Sequence, residues 1–390
     1  MNTRRVSGWL IASAALLLAG IAVGIAAPLR ARPAPVREAT PLSTWPVSLG
    51  PGGFAAAAVS PDGVVAIGQG DPPVIVGLSR YGTALWTTTV NSADADSLSA
   101  VALTSTGDIV AVGAKNYTDS VILLYDASGA LLWKQACPST TIKAVTVTRD
   151  DDIVGVGSVR SGNSYADAWL IMLSSTGDQL ATRTLGGSYQ DGFTTVTATP
   201  DGGVVAAGVT DSTDGDFLAA GLVAGTAGMA AGFTADGTLT WVTRFDGTRP
   251  VSAITGSAPA PDGSVVIVGA TRTAAMNQTD GLVIAVLASG ARAWAKTYGT
   301  PDSNSFNAVT VADDNTVVAV GQCAHVGADG TTSQQGVAVR LNPSHELDWA
   351  RTYGDDGKSL FASIGRAPDG TMILAGGALY HMSLSGNLLH

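Results

Sequence analysis

Seven times along the chain a continuous apolar run closes on a glycine: VVAIG (64–68), IVAVG (109–113), IVGVG (153–157), VVAAG (204–208), VVIVG (265–269), VVAVG (317–321) and MILAG (372–376). The closing glycines lie 45, 44, 51, 61, 52 and 55 residues apart, the spacing expected of a small antiparallel sheet repeated with loops of varying length. The second unit shows the pattern best. Residues 99–105 (SAVALTS) alternate, Thr106-Gly107-Asp108 turns, 109–113 is apolar throughout, 121–126 follows, Ser128-Gly129 turns, and 131–136 carries Trp133. Alternation predicts a half-covered strand, the unbroken run a strand covered on both faces, and the glycine turns predict hairpins, so each unit reads as a four-stranded meander. The first turn returns as Asp62-Gly63, Asp201-Gly202, Asp262-Gly263, Asp314-Asn315 and Asp369-Gly370. Those aspartates read as turn formers rather than catalytic carboxylates.

The last strand of most units carries a tryptophan: Trp86, Trp133, Trp241, Trp294 and Trp349, with Ala181 in the third unit. One Trp per repeat at a fixed place predicts large rings packed between neighbouring sheets. First-strand residues are small (Ala100, Ala102, Ala144, Thr146, Thr195, Ala308), as expected where several sheets crowd an axis. The seventh unit stops at LSGNLLH before any Trp strand, whereas TWPVSLG (44–50) supplies a Trp with a trailing Gly at the other end. The predicted fold is therefore all-β, a seven-bladed β-propeller of four-stranded antiparallel blades, its last blade completed by the N-terminal strand. Pro46 suits such an edge strand.

Composition agrees with this pattern. Only Glu38 and Glu346 interrupt an otherwise all-Asp acidic complement of 31, and Lys occurs five times, so the charged residues that helix surfaces favour are nearly absent. Forty-eight Gly and 17 Pro in a chain that is 46% hydrophobic describe short strands, tight turns and ample core. The net charge is −10, and residues 1–42 carry five arginines against one glutamate, so the remainder is more acidic still. That field disfavours nucleic acid and anionic membrane surfaces as partners.

From Gly8 to Leu29 no residue is charged, and Arg4 and Arg5 precede the run. Residues 1–29 read as a signal anchor or a cleaved signal peptide, the length favouring an anchor. Residues 30–42, RARPAPVREATPL, read as a stiff Pro/Arg-rich linker, and residues 43–390 as the propeller domain.

Catalytic signatures are missing from the sequence. His325, His345, His381 and His390 stand in no metal-binding spacing, and there is no G-x-S-x-G elbow or phosphate-binding loop. Cys137 takes an apolar position in its repeat and reads as a buried thiol. Cys323 lies several blades away, beyond the ~7 Å reach of a disulfide, so no intramolecular bridge is expected. Asp211, Asp214 and Asp216 crowd one loop with Ser212 and Thr213. They form the one candidate metal site, for calcium, which takes several oxygen ligands. The alternative is a solvated turn whose carboxylates cap backbone amides; Asp94 and Asp96 are a poorer pair of the same kind.

The order W-x-x-x-Y-G, strand, D-G, apolar run with Gly, Ser/Asp loop, strand, x-x-G and Trp resembles bacterial secreted and surface β-propeller repeat proteins, and DSTDGDF (211–217) is similar to their S-x-D-G-D loops. The resemblance covers residues 44–390 and implies binding or adhesion. A second resemblance, of LYDASGALLWKQA (124–136), is to the repeats of quinoprotein dehydrogenases and outer-membrane assembly scaffolds. Cys137 and Cys323, far apart in sequence, do not supply the vicinal pair beside which those dehydrogenases hold their quinone.

Links after the apolar run are long in units four to six (209–228, 270–281 and 322–336), and binding residues concentrate on loops held by a rigid scaffold. The sequence thus predicts a noncatalytic, envelope-displayed binding or adhesion module for a protein or glycan ligand. The alternatives are a propeller hydrolase or lyase with a dispersed acidic site, and a scaffold of an envelope assembly.

Overall fold

The computed structural model describes residues 45–48, 52–116, 118–160, 165–217, 225–245, 250–273, 278–299, 303–326, 332–354 and 360–389. The expected signal segment and linker (1–29 and 30–42) lie outside these residues. Among the described residues no helix is long and apolar enough to cross a membrane.

The chain forms seven four-stranded antiparallel sheets, and in each the strand order follows the sequence. The inner strands are Phe54–Val59, Ser97–Leu103, Thr140–Val147, Asp191–Ala198, Val251–Pro259, Asn304–Val311 and Phe361–Arg366. Consecutive inner strands touch, and the last touches the first, which makes the ring of a seven-bladed propeller. The second strand of each blade is the apolar run, as in blade 2, where residues 109–113 are buried throughout. Within this meander the links from second to third strand and from blade to blade leave on one face, here the link face. The tight turns occupy the other.

The glycine that closes each apolar run is required by close backbone approach. In every blade it pairs with a large inner-strand residue (Phe54, Leu98, Ile142, Phe193, Ile254, Phe306 or Phe361), and a β-bulge follows at once. A Cβ at Gly113 would stand 1.8 Å from the Ser97 carbonyl oxygen and one at Gly376 1.7 Å from that of Leu360, distances no side chain tolerates. The bulge turns one extra residue toward the next blade. Ser99 donates its hydroxyl to Ile142 O at 3.4 Å, Thr194 to Ile254 O at 2.6 Å and Thr255 to Phe306 O at 2.6 Å, and the Asn307 amide donates to Phe361 O at 2.8 Å. Four of the seven blade junctions are thereby stitched beside the axis; Ala55, Lys143 and Ala362 occupy the bulge in the other three.

The outer-strand tryptophans pack against the cores between neighbouring blades, as expected, but are only partly enclosed. Trp86, Trp133, Trp241, Trp294 and Trp349 are half-buried, and they pack over the last hairpin turn of the following blade. Trp133 Nε1 donates to Ser175 O at 3.0 Å and Trp241 Nε1 to Ala288 O at 2.9 Å. The turn offers glycine to the ring: a Cβ at Gly290, whose φ is +84°, would come within 2.6 Å of the Trp241 indole. In blade 6 His345 takes this place at φ 60° and stacks on Trp294 at 4.5 Å. The fully enclosed space between sheets is filled instead by the inner-strand phenylalanines Phe193, Phe306 and Phe361.

Blade 7 is closed by residues from both ends of the described region. Val47 exchanges backbone hydrogen bonds with Leu379 at 3.0 and 2.8 Å, and Leu388–Leu389 pairs with the same third strand, Leu379–Met382. Leu379 and Ala338 occupy equivalent places, each paired with the residue before its blade's glycine. Their outer-strand partners are Val47 and Arg351, and Trp45, two residues back from Val47, is buried against His381. The fourth strand of this blade is thus Leu388–Leu389, and the N-terminal segment, expected to form the whole outer strand, adds a single bridge at Val47 beside it.

Candidate ligand-binding site on the link face

Asp211, Asp214 and Asp216 do not converge on a common point. Asp214 Oδ1 accepts the Ser188 amide at 2.8 Å while its other oxygen accepts the Ser188 hydroxyl. Asp216 Oδ2 accepts the Gly186 amide at 3.0 Å, and Asp211 Oδ1 accepts the Thr226 hydroxyl at 2.6 Å. Residues 215–217 wind into a single 3₁₀ turn, where Gly215 adopts φ 62°. Among the described residues no group of three or more His, Cys, Asp or Glu is placed to hold a metal ion. The loop is drawn in by Arg244, whose guanidinium donates to Ser212 O at 2.8 Å and Gly225 O at 2.9 Å.

The carboxylates of Asp214 and Asp216 hold the link between blades 3 and 4. Gly187 N donates to Asp191 Oδ2 at 3.0 Å and Tyr189 N to Ser212 Oγ at 3.0 Å. Four successive amides, 186 to 189, are thus capped by Asp216, Asp191, Asp214 and Ser212. Asp191 is fully buried and also accepts the hydroxyls of Thr210 and of Ser212, the latter at 2.8 Å. Burial raises its pKa above the usual carboxylate value, against the lowering effect of those hydrogen bonds. Asp214 is held below that value, first by the Ser188 hydroxyl and then by the Ser188 amide. A backbone capped at four consecutive positions has little freedom left to lose on binding.

The clamped link presents Tyr189. Its ring lies 5.7 Å from that of Tyr165, on the neighbouring link of blade 3, and the two are 51% and 46% exposed. Beside them Ala166 and Gln190 line a cavity of about 240 Å³ together with Arg160 and the hydroxyls of Ser139, Thr141 and Ser158. The Ala166 amide donates to Gln190 Oε1 at 3.3 Å, fixing the side-chain amide so that its NH₂ is the end left to donate. The site therefore combines an aromatic pair with an amide, a guanidinium and several hydroxyls, all on rigid blade ends.

The sequence predicts the binding links on blades 4 to 6. Residues 218–224, 274–277 and 327–331 of those links lie outside the described residues. The sixth is in large part a longer hairpin, its strands running Val317–Val326 and Thr332–Leu341. Tyr165 and Tyr189 escaped that reading. The available signal was a Ser-Tyr pair in successive links, Ser164-Tyr165 and Ser188-Tyr189. The turn aspartates behave as expected: Asp262 Oδ1 accepts Ser264 N at 2.9 Å and Asp369 Oδ1 accepts Thr371 N at 3.0 Å. Cys137 and Cys323 are both buried, in blades 2 and 6, and neither forms a disulfide.

No protein-family model matches the chain, and no curated protein matches it. By contrast, 555 chains of solved structures are similar in fold. One, described as the structure of Dos1 propeller, has a TM-score of 0.51 at 13% identity and covers 88% of this chain and 95% of its own. At that identity the likeness concerns the fold alone, which is a β-propeller.

Proposed function

We propose that this propeller is a noncatalytic binding module that recognises a neutral glycan on its link face, at Tyr165, Tyr189 and the Arg160–Gln190 cavity. The observation that carries this is the exposed tyrosine pair on a link whose amides are held at four consecutive positions. A sugar ring offers an apolar CH face, which packs on an aromatic ring, and a rim of hydroxyls, which an amide, a guanidinium and side-chain hydroxyls can bind. The acidic body favours an uncharged ligand over an anionic one. The apolar segment 8–29 and the linker after it support display at a cell envelope, in keeping with the resemblance to bacterial surface propellers. Screening the protein on an immobilised panel of neutral and acidic glycans is the test. Retention by neutral glycans, lost in Tyr165→Ala/Tyr189→Ala, is expected; a panel without any bound glycan, or equal binding by the double variant, overturns the assignment.

A further inference from the structure

A further cavity lies elsewhere, on the turn face between blades 7 and 1, where Trp45 and Leu389 are among the lining residues. It measures about 570 Å³, within the range of small-molecule sites. A cavity in the same place between blades 4 and 5 measures about 350 Å³, and Trp241, Pro200 and Leu287 are among the residues that line it, with no guanidinium or imidazole among them. The cavity at the closure differs in its chemistry. Trp45, from the N-terminal strand, and His381, from the third strand of blade 7, form one wall with ring centroids 5.7 Å apart. Arg80 and Tyr81, from a turn of blade 1, form the other.

The polar groups of this cavity are oriented. His381 Nε2 lies 2.7 Å from Thr371 Oγ1, and that hydroxyl donates to Asp369 Oδ1 at 2.6 Å, so Nε2 is the protonated nitrogen and the imidazole plane is fixed. His381 occupies a strand position that is Gly77, Leu124, Met172, Gly232, Ala285 and Arg340 in the other blades, read from the strand pairing. Arg80 is exposed; its guanidinium sits 4.8 Å over the Tyr81 ring and one Nη donates to Tyr81 Oη at 2.7 Å. Among the described residues no carboxylate pairs with it. The nearby charge of Asp369 is already engaged by its own turn, where Oδ1 accepts both the amide and the hydroxyl of Thr371.

We propose that the closure cavity binds a small flat aromatic carboxylate, its ring between Trp45, His381 and Tyr81 and its carboxylate on Arg80. Guanidinium–carboxylate pairing supplies the charge preference, and the indole, imidazole and phenol faces supply the preference for a flat ring. Because the walls come from the N-terminal strand, blade 7 and blade 1, the ligand bridges the junction that closes the ring. Binding to the closed ring alone raises its stability in proportion to the logarithm of ligand concentration. This site is independent of the link face and of what binds there.

Calorimetric titration and thermal melting of the full chain with indole-3-acetate, and with indole as the uncharged control, test the proposal. Indole-3-acetate is expected to bind at one site and to raise the melting temperature progressively, with indole binding about tenfold more weakly. Arg80→Gln, on an exposed turn, is expected to remove that tenfold preference and leave indole binding unchanged. The proposal is overturned if neither compound binds, if indole binds as tightly as indole-3-acetate, or if Arg80→Gln leaves the preference intact.

Discussion

The carboxylate of Asp214 accepts the backbone amide of Ser188 at 2.8 Å, across a gap between two links of the chain. Asp214 therefore holds the neighbouring link by its backbone. In calcium up to millimolar concentration, and in EDTA, the protein is expected to melt at the same temperature. Asp214→Ala/Asp216→Ala is expected to melt lower than wild type in both conditions. A calcium-dependent rise in wild type that the double variant lacks would restore the metal-site reading.

Thr194 ties blade 4 to blade 5 through Ile254 O. Thr194→Val keeps the shape and removes the donor, and is expected to cost about 1 kcal/mol, the usual net contribution of such a bond. Chemical denaturation measures it. Ala55, at the equivalent position of blade 1, has no bond to lose, and Ala55→Gly is expected to cost less.

Tryptophans rank by what covers them. Trp169, only 8% exposed, donates Nε1 to Thr182 Oγ1 at 3.0 Å, and Trp169→Ala is expected to cost about 3–5 kcal/mol. Trp133, half-buried over the blade 3 turn, is expected to cost about 2 kcal/mol on the same change. Equal losses in denaturant melts would show that Trp133 is as enclosed as Trp169.

His381 gives the fold a pH dependence whose sign is fixed by burial, which lowers its pKa despite the opposing charge of Asp369. The unfolded chain then takes up the proton first. The stability that neutral His381 contributes is full above the unfolded value of about 6.5 and declines as pH falls from there through the lowered folded value. His381→Gln is expected to flatten this part of the stability profile between pH 7.5 and 5. A profile identical to wild type would assign the dependence to other groups.

The seven glycines made the repeat legible because the bulge opposite each forbids a Cβ, and the Trp–Gly pairing of adjacent blades left a second periodic mark. The outer strand of blade 7 was not legible, since two residues, Leu388 and Leu389, are too short a run to read as a strand. The clamp on residues 186–189 was not legible at all. Asp214 and Ser188 lie 26 residues apart, and a cluster of aspartates has the same linear appearance whether it caps amides or gathers around an ion. Exposed tyrosines carry no periodicity that would separate them from core aromatics.

That clamp matters most to the proposed site, because a link held at four successive amides is what makes Tyr189 a ready platform. Residue-resolved amide hydrogen exchange tests it directly. Gly186, Gly187, Ser188 and Tyr189 are expected to exchange slowly, within the range of the neighbouring strands, and Asp214→Ala is expected to speed exchange at Ser188 well beyond its effect on the strands. Exchange of these four amides in wild type at the rate of an open loop would contradict the account.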